Sequence, residues 1–518
     1  MTLGIEASGE QSGNMHRDLV RALGKPRGSP DFFDWPIPMQ GDGPGGQVQI
    51  KAHPFILPHE MFSRLHAERL ETFFQCVQGD DAERGALWDG LVNLPVVQKH
   101  PSLDPNQLQR TIPLGMHGDA GAFSKQDSLF VLTWNSLVGQ GTTREQRFLI
   151  TCVRKSDLLA DGSTLEAIFH VLAWSFNCLL TGQTPHQDPD GLPLEGGGKA
   201  LAGLWRGACI QIRGDWQFYC QAFGFPLWNT DSRMCWLCRA SNIHKELLWT
   251  NFNANAPWRQ TLWTHESYMA DVESKGELPP NVFGICGLRL ECIMVDVLHA
   301  VDLGIASQII GNVLYEILPR FGPNKDVQIQ ALNSRLKTWY RENKVTSQIR
   351  GKLTMSALKA PGKSPELKAK AAATRHIAPF AAQLAAEFND GTLHDVRRQA
   401  VIDSLVDFYT IIEHGSRQIS DKGLQRLPAC CQQLCTAYAF LASEAEQAQE
   451  PAWKEKPKMH LFQHLCLYQA HQFGNPRYHW TYPNEDMVGQ MVEVAKSCHP
   501  STMAKTALYK WLVMVFKD

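Results

Sequence analysis

The chain lacks a charge excess of either sign: 50 Lys and Arg stand against 52 Asp and Glu over 518 residues, a formal net charge of −2. That excludes a globally basic nucleic-acid binder and leaves phosphate contact to local patches. No secretory signal opens the chain, and no apolar run approaches the ~20 residues that span a bilayer. An intracellular protein of nucleus or cytoplasm, without membrane attachment, is expected. The 14 cysteines are scattered, mostly within apolar stretches, which suits reduced thiols better than a disulfide scaffold. Solenoid repeats are missing. So, in the first hundred residues, are zinc-finger spacing, a helix-turn-helix signature and a basic arm. What is present, at 44% hydrophobic content, can bury large cores in two or three units.

The most informative stretch runs from Ile112 to Trp134. It places Asp119 near the end of one strand, turns on Gly121 and sends a second strand back past Ser124, Lys125 and Asp127. Arg144 to Lys155 reads as a third strand, with turn-forming Gly-Gln-Gly before it and Asp161-Gly162 after it. Ser163 to Leu180 opens with a Ser/Thr cap, carries apolar residues at helical spacing and stops at Gly182 and Pro185. Arg206 to Gly214 reads as a fourth strand, and Asp215 sits just past its end, ahead of the aromatic run Trp216 to Phe223. Three consecutive antiparallel strands with an Asp on the first, then a helix and a strand beside the first, is how an RNase H-like nuclease core begins.

Paired carboxylates at adjoining strand ends suit a definite chemistry. In-line displacement at a phosphodiester is stabilised by two divalent ions about 4 Å apart. Hard ions such as Mg²⁺ take carboxylate oxygens and keep several waters, so two or three acids suffice. Each Asp alone reads equally as a turn residue or helix cap. Near the C-terminus comes a third run, Lys456-Pro-Lys-Met-His460 with His464 and Phe473-Gly474, followed by Tyr482-Pro-Asn-Glu485. A helix is expected from Asn484 onward, with Asn as its cap and Glu485 in its acidic first turn.

With Cys235-Trp-Leu-Cys238, these runs resemble the DDE/D transposases of the Kyakuja, Dileera and Zisupton group, most closely the Plavaka type. That type carries a similar Pro-Lys-x-His, Phe-Gly and Asn-x-Glu series ahead of a helix. The segment Val295-Asp296-Val-Leu-His299-Ala-Val-Asp302-Leu-Gly304 resembles one shared with CACTA-like transposases. The likeness covers roughly residues 110 to 515. It implies an α/β fold in which an RNase H-like catalytic core is interrupted by a large, mainly helical insertion. Asp119, Asp215 and Glu485 would be the catalytic triad, holding two Mg²⁺ or Mn²⁺ ions, with His299, His460 and His464 in support. The implied activity is metal-dependent DNA cleavage and strand transfer on transposon ends and target DNA, in a chain that can form homo-oligomers. Two departures stand out. Asp486 and Glu493 rival Glu485 as the third acid, and the DNA-binding module usual before the core is not legible. The rival reading is a catalytically inactive or domesticated DNA-binding protein derived from a transposon.

Cys235 and Cys238 can present two thiolates to one Zn²⁺, but a structural site takes four ligands, and no second Cys-x-x-Cys is present. His244, His265, Cys286, Cys292 and His299 are the candidates in the following segment; the other reading is a packed turn with two reduced cysteines. Between Arg335 and Arg375, basic residues including Lys352, Lys359, Lys363 and Lys368 far outnumber the acids Glu342 and Glu366. This stretch reads either as a DNA-backbone contact or as a solvated face with a flexible Ala-Pro-Gly-Lys-Ser-Pro linker. The expected segments are 1–105, a leader that is helical from Pro58; 106–230, the first part of the core; 231–455, the insertion, with helices at Arg397 to His414 and Leu427 to Glu444; and 456–518, the C-terminal helical part of the core.

Overall fold

The computed structural model describes residues 24–41 and 46–516; the start of the expected leader lies outside the described residues. The chain divides into two compact units. Unit 1 takes the chain up to Phe225, His265–Ile293 and the stretch from Thr481 onward, and unit 2 is Pro226–Thr264 with Met294–Trp480.

Unit 1 opens with an antiparallel pair, β1 (Phe33–Gln40) and β2 (Val48–Phe55), in a leader where no strand was expected. The helix expected from Pro58 follows as α1 (Pro58–Glu68), with Pro in its first turn, where its missing N–H costs nothing. Asp80 caps α2 (Asp81–Leu91), accepting from the Glu83 N–H at 2.9 Å.

The main sheet holds β3 (Thr111–Ala122), β4 (Ser128–Ser136), β5 (Phe148–Arg154) and β6 (Arg206–Arg213) in the order β5-β4-β3-β6. β3, β4 and β5 run antiparallel and β6 lies parallel to β3, so the fold is α/β with a mixed sheet. These strands read as near-continuous apolar runs because both faces of the sheet are covered; almost every residue from Leu129 to Ser136 and from Phe148 to Val153 is buried. A parallel neighbour requires a long connection, and α3 (Ser163–Thr181) lies within it. Beyond β6, Ile293 makes a single parallel bridge to Ile212 at the sheet edge.

Two local expectations are corrected. The hairpin does not turn on Gly121, since β3 continues to Ala122. The turn is closed further on by the Ser124 N–H donating to the Asp127 carbonyl at 3.2 Å and by Ser124 Oγ accepting from the Gln126 and Asp127 N–H groups. The third strand is shorter than Arg144 to Lys155, because Thr142 and Glu145 form a capping box that winds Thr143–Gln146 into a helical turn. After β6, α4 (Trp216–Phe223) is capped by Asp215.

Unit 2 is largely helical. Its first segment, Pro226–Thr264, has short helical turns and isolated bridges of Cys238 to Leu262 and Ser241 to Leu248. A π-helical stretch, Leu298–Ala306, then runs into α5 (Ser307–Ile317). α6 (Lys325–Glu342), α7 (Ala371–Glu387), α8 (Leu393–His414), α9 (Asp421–Gln447) and α10 (Lys458–His464) follow. The helices expected at Arg397 to His414 and Leu427 to Glu444 fall within α8 and α9. Residues 456–480, assigned by sequence to the end of the core, lie in unit 2.

The chain re-enters unit 1 with α11 (Tyr482–Ala495) and α12 (Met503–Phe516). α11 starts three residues earlier than expected: Thr481, not Asn484, is its N-cap, a Pro sits in its first turn, and Asn484 is a buried helical residue. α11 packs across β3 and β4. Gly121 allows that approach, since a Cβ there would stand 2.6 Å from a Val492 methyl. Among the described residues two helices, Ser163–Thr181 and Leu298–Phe321, are long and apolar enough to cross a membrane by length and composition, contrary to the expectation of no such run. Their apolar windows are 67% and 83% buried inside the protein, as core helices are.

Candidate metal sites

In unit 1 the sequence brings carboxylates to one end of the sheet by strand pairing and helix packing. The parallel register pairs Met116 with Ile212 and His117 with Arg213, so Asp119 and Asp215 each lie two residues beyond the last paired residues of neighbouring strands. A glycine precedes each acid, and both glycines serve the same ring: a Cβ at Gly118 would stand 2.3 Å from Phe218 Cε2, and one at Gly214 2.3 Å from Phe218 Cδ1. The apolar face of β3 at Gly118 thus rests on α4. Alternation sends His117 and Asp119 to the opposite face.

Glu485, in the first turn of α11, has a carboxylate oxygen within 4.8 Å of one on Asp119. Its side chain is 28% exposed and Asp119 is half-buried. Hard oxygen donors at that spacing, open to solvent, fit a hard divalent cation that retains waters. Asp215 is engaged differently, as its Oδ1 accepts from the Phe218 N–H at 2.6 Å. Asp486 is exposed and accepts from Gln490 at 3.0 Å, and Glu493 is 70% exposed and pairs with Lys496. Asp127 is a turn former, binding Ser128 and Ser156. His117, which the sequence reading passed over, is fully buried with Nε2 3.8 Å from Glu485 Oε1. Its place two residues before Asp119, on the same strand face, was the available signal.

Unit 2 holds a second group: Cys235 Sγ, Cys238 Sγ, His460 Nε2 and His464 Nε2 all lie within 4.8 Å of one another. His460 and His464 stand one turn apart at the end of α10, on one face. Cys235 to His464 is 3.5 Å, Cys238 to His460 3.2 Å, and His460 to His464 3.1 Å. A tetrahedron with Zn–S of about 2.3 Å and Zn–N of about 2.0 to 2.1 Å has S···N edges of about 3.6 Å and N···N edges of about 3.3 Å. The side chains are 0–1% exposed, leaving no open position for substrate. The Leu237 and Ala240 N–H groups donate to the two sulfurs at 3.3 and 3.4 Å, as a thiolate requires. Burial raises the Cys235 thiol, but the Cys238 hydrogen bond and the two imidazoles outweigh it, and the net shift is downward. Cys238 moves up, through burial and the neighbouring Cys235 sulfur, and burial pushes His460 down toward the neutral form that ligates. Trp258 packs edge-on to the His460 ring at 4.4 Å.

This group corrects the sequence-based choice of partners. His244, His265, Cys286, Cys292 and His299 are not in it, and the side chains that complete the group are two histidines expected only to support catalysis. His265 and His299 are occupied otherwise: His265 Nδ1 accepts from the Leu290 N–H, and His299 Nδ1 bonds Asp296 at 2.7 Å.

The basic segment is not a loose linker. The Leu367 N–H donates to the Ser307 carbonyl at 2.7 Å, and the chain crosses Gly311 so closely that a Cβ there would meet Glu366 Cα at 2.6 Å. Lys352, Lys363 and Lys368 are exposed on it, whereas Lys359 lies half-buried over the Tyr315 ring at 4.5 Å. Arg375 is buried against Asp302 and Glu413.

Compared with known proteins, the chain matches no family model and no curated protein.

Proposed function

We propose that the chain is a transposase-like protein of the DDE/D class, resembling the Plavaka type, whose RNase H-like core cleaves DNA with divalent metal and transfers strands. One observation carries the reading: in a sheet ordered β5-β4-β3-β6, with β6 parallel to β3, Asp119 and Asp215 each lie two residues past the last β3–β6 pair, and a C-terminal helix brings Glu485 within 4.8 Å of Asp119. The single bridge of Ile293 to Ile212 falls where a further parallel strand of such a core would add. Asp119 and Glu485 would hold Mg²⁺ or Mn²⁺, with Asp215 offering its remaining oxygen. Bound there, a pair of such ions supplies the charge that stabilises both the attacking and the leaving oxygen. DNA is the partner, met along its backbone by Lys352, Lys363 and Lys368. Zinc is the metal that suits the closed Cys₂His₂ group, as a structural ion.

The Asp215 cap to Phe218 favours a second reading, a transposon-derived DNA-binding protein without catalysis. Nicking of supercoiled DNA by the full chain in Mg²⁺ or Mn²⁺ separates the two. Glu485→Gln should abolish nicking while DNA binding persists, because the amide keeps the shape and loses the charge that holds the ion, and Glu493→Gln should leave nicking intact. A wild-type chain that nicks in neither metal, or a Glu485→Gln chain that nicks like wild type, overturns the catalytic reading.

A further inference from the structure

From the burial of His117 beneath Glu485 we infer that His117 is a positioning residue for the metal-binding carboxylates, an inference that rests on the catalytic reading above. The ring is wholly buried, so it reaches neither DNA nor solvent and is not itself catalytic. It sits between paired neighbours on both sides, Thr133 on β4 and Arg213 on β6, and Thr133 is also fully buried. The ladder on either side therefore fixes the backbone of His117, and close packing around the buried ring fixes the imidazole. From that fixed point its Nε2 stands 3.8 Å from Glu485 Oε1.

Glu485 needs such an anchor. It lies in the first turn of its helix, is tied to it there by its own N–H donating to the Thr481 carbonyl at 2.8 Å, and carries a flexible, partly exposed side chain. Asp119 is short and accepts from the Ala120 N–H at 2.7 Å, so it is already oriented by its own strand. A rigid imidazole two residues before Asp119 gives both acids one reference, the backbone of β3. Groups behind metal ligands that fix their orientation change metal affinity or activity by about 10–100-fold when removed.

The test is Mn²⁺ binding by the full chain, measured by titration calorimetry, alongside nicking kinetics. Gln carries an amide nitrogen that can occupy the place of Nε2, whereas Asn is too short to reach Glu485. His117→Asn should weaken Mn²⁺ binding about 10–100-fold and lower kcat with KM for DNA unchanged, and His117→Gln should restore most of both. Circular dichroism of each variant separates misfolding from a site effect, and comparing two polar amides of different length keeps the test valid if either is less stable. Asp119→Asn and Glu485→Gln serve as references. If they lose Mn²⁺ while His117→Asn and His117→Gln both bind like wild type, His117 positions nothing and the catalytic reading survives. If Asp119→Asn and Glu485→Gln also bind Mn²⁺ like wild type, there is no carboxylate site to position, and both inferences fall.

Discussion

Removal of the metal expected at Cys235, Cys238, His460 and His464 should cost unit 2 a measurable share of its stability. The four side chains are 0–1% exposed, so water cannot take the place of an ion withdrawn by a chelator. Beyond the Leu237 and Ala240 N–H groups that donate to the sulfurs, two thiols and two imidazoles would then face one another in a buried pocket, where leaving polar groups imperfectly paired is costly. An ion that binds the folded state alone stabilises it by about 4.1 kcal/mol when its free concentration is a thousand times Kd. For domains of roughly 150–250 residues each kcal/mol moves Tm by about 2–4 °C. Chelation should therefore lower the unit 2 transition by about 8–16 °C in scanning calorimetry of the full chain. Elemental analysis should find one zinc per chain. Cys235→Ser and His464→Ala should each reproduce most of the drop without chelator, because a three-ligand site loses the closed tetrahedron. Purified protein without zinc, an unchanged transition after chelation, and a Cys235→Ser chain as stable as wild type would refute this reasoning and leave a packed turn with two reduced cysteines.

Exposed Lys352, Lys363 and Lys368 changed together to Gln should weaken DNA binding whatever the sequence and flatten the log–log salt dependence by about 0.9 for each phosphate left unneutralised; an unchanged slope would show that the segment is only solvated surface. Gly118→Ala places a Cβ 2.3 Å from Phe218 and 2.8 Å from Leu132, so overpacking should destabilise the chain by about 1–3 kcal/mol. Phe218→Leu in the same chain should recover part of that loss in denaturant titrations. His394 lies between Glu316 and Glu444, with each ring nitrogen 3.1 Å from a carboxylate; the Glu316 hydrogen bond, against burial, raises its pKa above 6.5. Its contribution to stability should be complete below about pH 6.5, the unfolded value, and fade as pH climbs through the higher folded value. Denaturation midpoints across that window should lose this slope in His394→Gln.

The sequence by itself determined the elements whose cause is local. β-branched and aromatic runs made β4 to β6 legible, apolar spacing that stops at Gly182 made α3 legible, although its N-cap is Gly162 and not the expected Ser or Thr, and the aromatic run after Asp215 marked the next element. The same local rules failed where two of them competed. Pro36, Pro38 and Pro54 hid the β1–β2 pair, because proline argues against a strand. All three fall in alternate pairs of one parity, Asp34↔Pro54, Pro36↔Ala52 and Pro38↔Ile50, where the ladder can do without their N–H groups. Asn484 looked like a cap, yet Pro in the first turn set the start of α11 at Tyr482. Gly121 looked like a turn and is instead a landing place for Val492. The sites were legible only by halves. Cys-x-x-Cys and two histidines four residues apart can each be seen as half of a ligand set, but 222 and 229 residues separate the partners that meet, and nothing in local spacing chooses among the remaining histidines and cysteines. The same holds for Asp119 and Glu485: strand alternation and the helix start fix where each carboxylate points within its own element. Packing of α11 on β3 decides that they point at each other, because that packing depends on side-chain volumes far apart in the chain and meeting only in the folded unit.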